Sequence, residues 1–297
     1  MQHHCTQCPR NCGVDRKAGK IGYCGAPWEF LISRASLHMW EEPSLSGTRG
    51  SGTIFFSGCN LRCVFCQNRD ISHASKGKIL SPNELVALMF RVQDAGAHNI
   101  NLVTPTPYAV QLAELLKSAK PQLHIPIVYN CGGYESAEAL RLLDGLVDVY
   151  LPDCKYFDGE IATRYSDAPD YFAVATKALQ EMLRQTGKPQ SDENGMINKG
   201  VILRHLVLPS HRSDSKVLLS ALAERFGTDA FLLSLMSQYT PEFAKDCPYS
   251  ALHRRVTSFE YEHVLAHAQK LGFDGYFQAR TAASADYTPD FNDAGLL

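Results

Sequence analysis

Long apolar runs are missing from this 297-residue chain. None approaches the ~18 consecutive apolar residues of a membrane-spanning helix, so no membrane partner is expected. A charge excess of either sign is missing too. Against 29 Lys and Arg stand 31 Asp and Glu, so no whole-protein field argues for nucleic acid or an anionic surface, and partners must be sought locally. The opening Met1-Gln2-His3-His4-Cys5 lacks the apolar stretch of a secretory signal. The ten cysteines are therefore expected as free thiols in a reducing cytoplasm, where their natural use is metal binding. The length allows one large α/β domain plus a small appendage, with a core that needs no covalent staples.

What is present is concentrated in Cys59-Asn60-Leu61-Arg62-Cys63-Val64-Phe65-Cys66, three thiols at C-x3-C-x2-C spacing directly after the apolar strand Thr53-Ile54-Phe55-Phe56-Ser57. Three thiolates on one short loop can hold three corners of a cubane iron-sulfur cluster, whose irons are otherwise each fixed by a cysteine. No further cysteine follows before Cys131. One iron would then stay open to a ligand, the mark of a reactive cluster. The competing readings are zinc, which prefers four ligands in closed sites and would need a distant fourth, and three thiols packed in a core.

This loop at the end of a first barrel strand resembles the signature of the radical S-adenosylmethionine (SAM) enzymes. The segment from Gly50-Ser51-Gly52-Thr53 through Gln67-Asn68 is similar to the branch related to pyruvate formate-lyase activating enzymes, and within it to the PflX-like group. The likeness runs from Cys5 to about Gly295. It implies a [4Fe-4S] cluster on Cys59, Cys63 and Cys66 whose open iron chelates SAM. It also implies reductive cleavage of SAM to a 5'-deoxyadenosyl radical, and hydrogen abstraction from a glycine of a glycyl radical enzyme or from a small molecule. A flavodoxin- or ferredoxin-type reductant is the expected electron donor. No cysteine falls between Cys66 and Cys131, so the ferredoxin-like insertion of some glycyl radical activases is absent. A non-catalytic iron-sulfur electron carrier is the competing class.

Residues 1–50 hold four more cysteines, Cys5, Cys8, Cys12 and Cys24, among Gly- and Pro-rich loops that bury little apolar surface. A second metal could supply the missing folding energy. Sulfur-only sites suit zinc and iron-sulfur alike, and C-x2-C-x3-C-x11-C fits no standard zinc ribbon.

After Gly50 strands and helices alternate. Ser81-Pro82-Asn83-Glu84 is a capping box with proline at the first helical position. Strands are expected at Ile100–Val103, Pro126–Tyr129, Val147–Leu151, Val201–Val207 and Phe231–Leu235. Helices between them are expected at Tyr108–Ala119, Ser136–Leu143, Asp170–Gln185 and Ser215–Arg225. With the strand at Thr53 this makes about six βα units, apolar on both faces and crossing over right-handed. Six are too few to close an eight-stranded barrel. The α/β class expected is therefore a partial (β/α)6 TIM-type barrel over residues 51–240, with a cysteine-rich module at 1–50. A C-terminal helix opened by Thr257-Ser258-Phe259-Glu260 and a tail, 241–297, would cover the open side.

Chemistry in such barrels collects at the C-terminal strand ends. The second strand ends in Thr104-Pro105-Thr106-Pro107, where relatives carry a Gly-Gly-Glu segment that contacts the SAM amino group. This chain departs from that pattern, and the resemblance assigns to SAM the backbone and hydroxyls of Thr104 and Thr106; the competing reading is a rigid turn made by the two prolines. The third ends in Asn130-Cys131-Gly132-Gly133, whose glycines let a ligand approach the backbone, and Asn130 joins the candidates. The fourth ends in Asp153-Cys154-Lys155. In activating enzymes a matching Asp-x-Lys lies near SAM and substrate; the competing reading is an ion pair. On the fifth strand, alternation lets only one of Arg204 and His205 face inward. Arg204 could fork onto a carboxylate, while a lone histidine is more often a hydrogen-bonded core residue. The sixth ends in Gln238-Tyr239, where relatives set a polar residue against the adenosine; Gln238 could equally cap the strand. Glu41-Glu42-Pro43 and the glycine-rich run Ser46–Gly52 stand out as polar; the run lacks the lysine and strand-before-helix context of a phosphate loop and is expected to turn the chain into the barrel.

Overall fold

A computed structural model describes residues 4–73, 76–278, 291 and 293–296. The strands are β1 (Phe30–His38), β2 (Ser51–Phe56), β3 (Lys78–Leu80), β4 (Ile100–Val103), β5 (Ile127–Cys131), β6 (Val149–Pro152), β7 (Gln190–Ser191), β8 (Ile197–Leu206), β9 (Leu232–Met236) and β10 (Gly275–Phe277). They form one sheet in the order β10-β9-β8-β6-β5-β4-β2-β1-β3, with β7 hung on β8. From β2 to β10 every neighbour on this path is parallel, and β1 pairs antiparallel with both β2 and β3. The result is an open, partial barrel of the TIM type, mixed only at its β1–β3 edge.

The expected six parallel strands are all present, and β10 adds a seventh after the helix Ser258–Leu271. Three residues long and opened by a glycine, β10 carries no period to read. Gly275 is required there, because a Cβ would stand 2.1 Å from the Leu233 carbonyl oxygen. The helix Gly159–Ser166 was likewise not expected; at eight residues it offers little periodicity. Strand β1 lies inside the segment read as a cysteine-rich module and is continuous with the sheet. Among the described residues no helix is long and apolar enough to cross a membrane.

The capping boxes form as their sequences dictate. Ser81 accepts from the Glu84 N–H while Glu84 accepts from the Ser81 N–H, starting Pro82–Asp94, and Thr257 with Glu260 does the same for Ser258–Leu271. Leu85, Leu88, Met89 and Val92 follow at helical spacing and are buried against the sheet.

Strand alternation sorts the rest. Ile127, Tyr129, Tyr150 and Leu203 face the helix layer, whereas Val128, Val149, Leu151 and Ile202 pack inside the barrel around Leu45. Leu45 sits on the short helix Pro43–Ser46 and is fully buried. The segment before β2 therefore does more than turn the chain: it plugs the barrel interior. Following the inward positions towards the C-terminal strand ends, apolar residues give way to Asn130, Asp153 and Arg204. At the open edge the Leu296 N–H donates to the Ala35 carbonyl and the Phe291 ring meets Phe55 edge-on at 5.3 Å.

Candidate active site at the strand ends

The cysteine loop leaves β2 and is held from three sides. The Cys59 N–H donates to the Cys24 carbonyl at 3.1 Å, the Val64 N–H to the Tyr165 carbonyl at 2.9 Å, and Asn60 Nδ2 to the Tyr134 carbonyl at 2.5 Å. Each sulfur has a polar neighbour. Cys59 Sγ accepts from the Leu61 N–H at 3.4 Å, Cys63 Sγ from Ser166 Oγ at 2.9 Å, and Cys66 Sγ lies 3.4 Å from Ser72 Oγ. Burial, with the adjacent Cys63, pushes the Cys59 thiol well above its usual range and Cys66 up to about 11. Alone these would stay protonated; coordination to a metal deprotonates such thiols outright.

The loop forms one wall of a cavity of about 240 Å3. The wall opposite comes from residues at the ends of three strands, β5, β6 and β8, joined by Glu41. Arg204 Nε donates to Asp153 Oδ1 at 2.9 Å and its Nη2 to Asn130 Oδ1 at 2.6 Å, while Lys155 Nζ donates to Asp153 Oδ2 at 2.5 Å. Glu41 Oε2 stands 3.6 Å from Arg204 Nη1 and Glu41 Oε1 accepts from Asn101 Nδ2. Burial alone would raise the Asp153 carboxyl; Arg204 and Lys155 outweigh it and hold Asp153 below its usual range. Burial alone would lower Lys155, and Asp153 reverses that shift as well. The ladder Glu41–Arg204–Asp153–Lys155 is thus ionised at its centre, with two cations that can meet a ligand carboxylate.

Of the expected residues, Cys59, Cys63, Cys66, Thr104, Asn130, Asp153, Lys155, Arg204 and Gln238 all line this cavity. Thr106 does not: it is buried and its hydroxyl donates to Glu135 Oε1 at 2.7 Å. Thr104 holds a left-handed backbone, φ 57°, with its N–H on the Asn130 carbonyl. His205 faces the helix layer, bonded to the Cys154 carbonyl and Ser215 Oγ, and burial holds it down at about 4. Cys131 lines the cavity, but its thiol bonds the Glu135 carboxyl. Gly133, φ 79°, brings its loop so close to Asp153 that a Cβ would lie 2.0 Å from the Asp153 carbonyl oxygen.

Sequence reasoning missed Glu41 and Trp40 as cavity residues. They precede β2 and belong to no strand end, so only the plug position of the following helix brings them in. Trp40, Glu41 and Gln238 also border a second hollow beside the first.

Among the described residues no three His, Cys, Asp or Glu side chains converge as they would around a single metal ion. The second metal expected at Cys5, Cys8, Cys12 and Cys24, zinc or iron-sulfur, therefore gains no support. Cys8 and Cys24 are buried and Cys5 and Cys12 half-buried. Burial first, then the neighbouring thiols, pushes Cys8 up to about 12.

Comparison with known proteins gives the family. The Radical SAM superfamily matches residues 53–191, from β2 through β7. An uncharacterized protein of Methanocaldococcus jannaschii is 32% identical over 280 residues, 91% of this chain and 76% of that one. Among solved structures, the FeFe-hydrogenase maturase HydG from Carboxydothermus hydrogenoformans superposes with TM-score 0.52 at 13% identity over 80% of this chain and 54% of that one. SAM-bound SuiB of Streptococcus suis gives 0.47 at 13% over 74% and 47%. The chain thus spans about half the length of these solved structures. With the three-cysteine loop at the end of the first parallel strand and the open barrel around it, the chain belongs to the radical SAM superfamily.

Proposed function

We propose that the chain binds a [4Fe-4S] cluster through Cys59, Cys63 and Cys66, reductively cleaves SAM there, and abstracts hydrogen from a glycine of a partner enzyme. The observation that carries the cleavage step is the single cavity with three thiols on one wall and the Asn130–Arg204–Asp153–Lys155 network on the other. The glycine rests on the resemblance to activating enzymes.

When bound, the cluster supplies the electron that breaks the sulfonium bond of SAM. The protein's part is to bind, orient and shield. Arg204 and Lys155 receive the SAM carboxylate, Asp153 keeps both cations fixed, and Asn130 and Gln238 offer amides to the remaining polar groups. Thr104 lends its hydroxyl from the cavity wall. The hydrogen donor approaches past Trp40 and Gln238, where the second hollow adjoins the cavity. Leu61, Phe65 and Tyr239 line the cavity with apolar surface that limits water. A flavodoxin- or ferredoxin-type protein supplies the electron.

The test is anaerobic reconstitution with iron and sulfide, followed by electron paramagnetic resonance (EPR) with and without SAM and assay of 5'-deoxyadenosine. A cubane signal that changes on adding SAM, with 5'-deoxyadenosine formed, supports the reading. A cluster indifferent to SAM would leave an electron carrier. A glycyl radical signal in a co-incubated candidate partner tests the donor; its absence with turnover intact points to a small molecule.

A further inference from the structure

Cys63 stands apart from its two companions in what its sulfur touches. Cys59 Sγ takes a backbone N–H and Cys66 Sγ a hydroxyl, both at 3.4 Å, whereas Ser166 Oγ reaches Cys63 Sγ at 2.9 Å. Ser166 is the last residue of the helix Gly159–Ser166 and is fully buried. Its hydroxyl is also 2.7 Å from that of Tyr156, 1% exposed. Neither group meets water, so the two hydroxyls and the sulfur must satisfy one another.

Chemistry fixes the direction of the chain. A metal-bound thiolate can only accept, so the Ser166 O–H donates to sulfur and its oxygen accepts from the Tyr156 O–H. Hydrogen bonds in series polarise each other, and out of water each is stronger. The serine cannot drift. Arg10 Nη2 donates to the Ser166 carbonyl and Nη1 to the Asp167 carbonyl. Asp167 ends the helix in a left-handed turn at φ 51°. The preceding carbonyl, of Tyr165, takes the Val64 N–H one residue beyond Cys63.

We propose that Ser166 and Tyr156 form a buried hydroxyl relay that donates to the Cys63 sulfur and sets the reduction potential of the cluster this loop holds. The inference rests on the reading of Cys59, Cys63 and Cys66 as cluster ligands. A donor to a ligating sulfur stabilises the more negative, reduced state, so it raises the potential. Both are positioning residues: neither lines the cavity. Tyr156 directly follows Lys155, so the relay also ties the segment that meets SAM to the loop that holds iron.

The test is a redox titration of the full chain, reconstituted anaerobically without SAM and followed by EPR, for wild type, Ser166→Ala, Ser166→Thr and Tyr156→Phe, with iron content measured for each. Ser166→Ala should cut the reduced-to-oxidised ratio at the wild-type midpoint about tenfold, a shift of about 59 mV to lower potential for a one-electron couple. Tyr156→Phe should shift it the same way by less, and Ser166→Thr, which keeps a hydroxyl, should stay near wild type. An unchanged or raised midpoint in Ser166→Ala at full iron content overturns the relay. Should Ser166→Ala fail to hold iron, Tyr156→Phe decides on the same terms. A wild-type protein that takes up no cluster defeats the ligand reading itself, and the relay with it.

Discussion

Two sets of cysteines meet in this molecule, and locally they are built alike. Cys8 and Cys24 take the backbone N–H groups of Arg10 and Ala26, two residues on, as Cys59 takes that of Leu61. They differ in what lies in front of the sulfur. Cys59, Cys63 and Cys66 open onto a cavity whose far wall is charged, while the thiols of Cys5, Cys8, Cys12 and Cys24 do not line it. Turn geometry can prepare a thiol anywhere, but only the strand ends of a barrel add room and charge for a ligand. The N-terminal set has a different place. The Cys24 carbonyl accepts the Cys59 N–H, Arg10 Nε donates to the Asn60 carbonyl, and the Arg10 guanidinium lies over the Tyr23 and Tyr134 rings. These contacts clamp the Cys59–Cys66 loop from outside.

The largest effect separates ligand from clamp. Cys59→Ala should abolish cluster EPR and 5'-deoxyadenosine formation. Cys24→Ala leaves its carbonyl in place, so it should keep the cluster signal and cost turnover no more than the about 10–100-fold typical of groups outside the ligand shell. Equal loss of the cluster in both variants would break the distinction between the sets.

Next comes the charged wall. Arg204→Ala leaves the half-buried Asp153 and Glu41 with Lys155 alone against them, and the about 3–5 kcal/mol lost on breaking a fully buried pair is the upper bound on its cost. Urea melts of the cluster-free protein measure this without reference to activity. A loss under about 1 kcal/mol would mean that water or relaxation relieves the orphaned carboxylates and that this wall is no more rigid than a surface ion pair.

The seam between the two regions holds a pH-sensitive group. Glu135 accepts from Thr106 and Tyr129, borders Cys131, and adds its charge to the field at Cys8. Burial raises it from 4.5 to about 7, so the folded protein keeps it protonated where the unfolded chain does not. Its contribution to stability is complete below about pH 4.5 and is lost as pH rises to about 7, a span worth about 3 kcal/mol. Glu135→Gln should flatten the wild-type fall in stability across that window, in melts at a series of pH values. Identical pH profiles would show the group solvated.

Much of this was legible in the sequence, for reasons that can be named. The cysteine loop needs only spacing and a preceding strand. The inward pair-mates Asp153 and Arg204 follow from alternation once the strand ends are known, and alternation also sends His205 outward. Glu41 was not legible, because its place depends on Leu45 entering the barrel from a four-residue helix. Nor was Ser166: it reaches Cys63 across 103 residues of chain from the end of a helix whose eight residues show too little period to predict. Thr106 was assigned through the resemblance, at a segment where this chain departs from the relatives' Gly-Gly-Glu and the likeness carries no backbone geometry over. Here Thr106 begins a 3-10 turn, Thr106–Tyr108, that rotates it towards Glu135.

The smallest effect tests that last point and the site together. Thr104 lines the cavity in a left-handed conformation that costs a β-branched residue about 1–2 kcal/mol. Glycine removes this strain but loses about 0.5–1 kcal/mol of chain entropy, so Thr104→Gly should stabilise the cluster-free protein by about 0–1.5 kcal/mol. It should also raise the KM for SAM, since the hydroxyl is gone from the cavity wall. Thr106→Val should do the reverse, leaving the KM unchanged and costing about 1–3 kcal/mol by orphaning a buried bond to Glu135. Strain retained in a cavity wall is expected where function holds it. If Thr104→Gly were both more stable and unchanged in KM, the strain would have no role in SAM binding, and the cavity's ligand contacts would reduce to the charged wall and the amides.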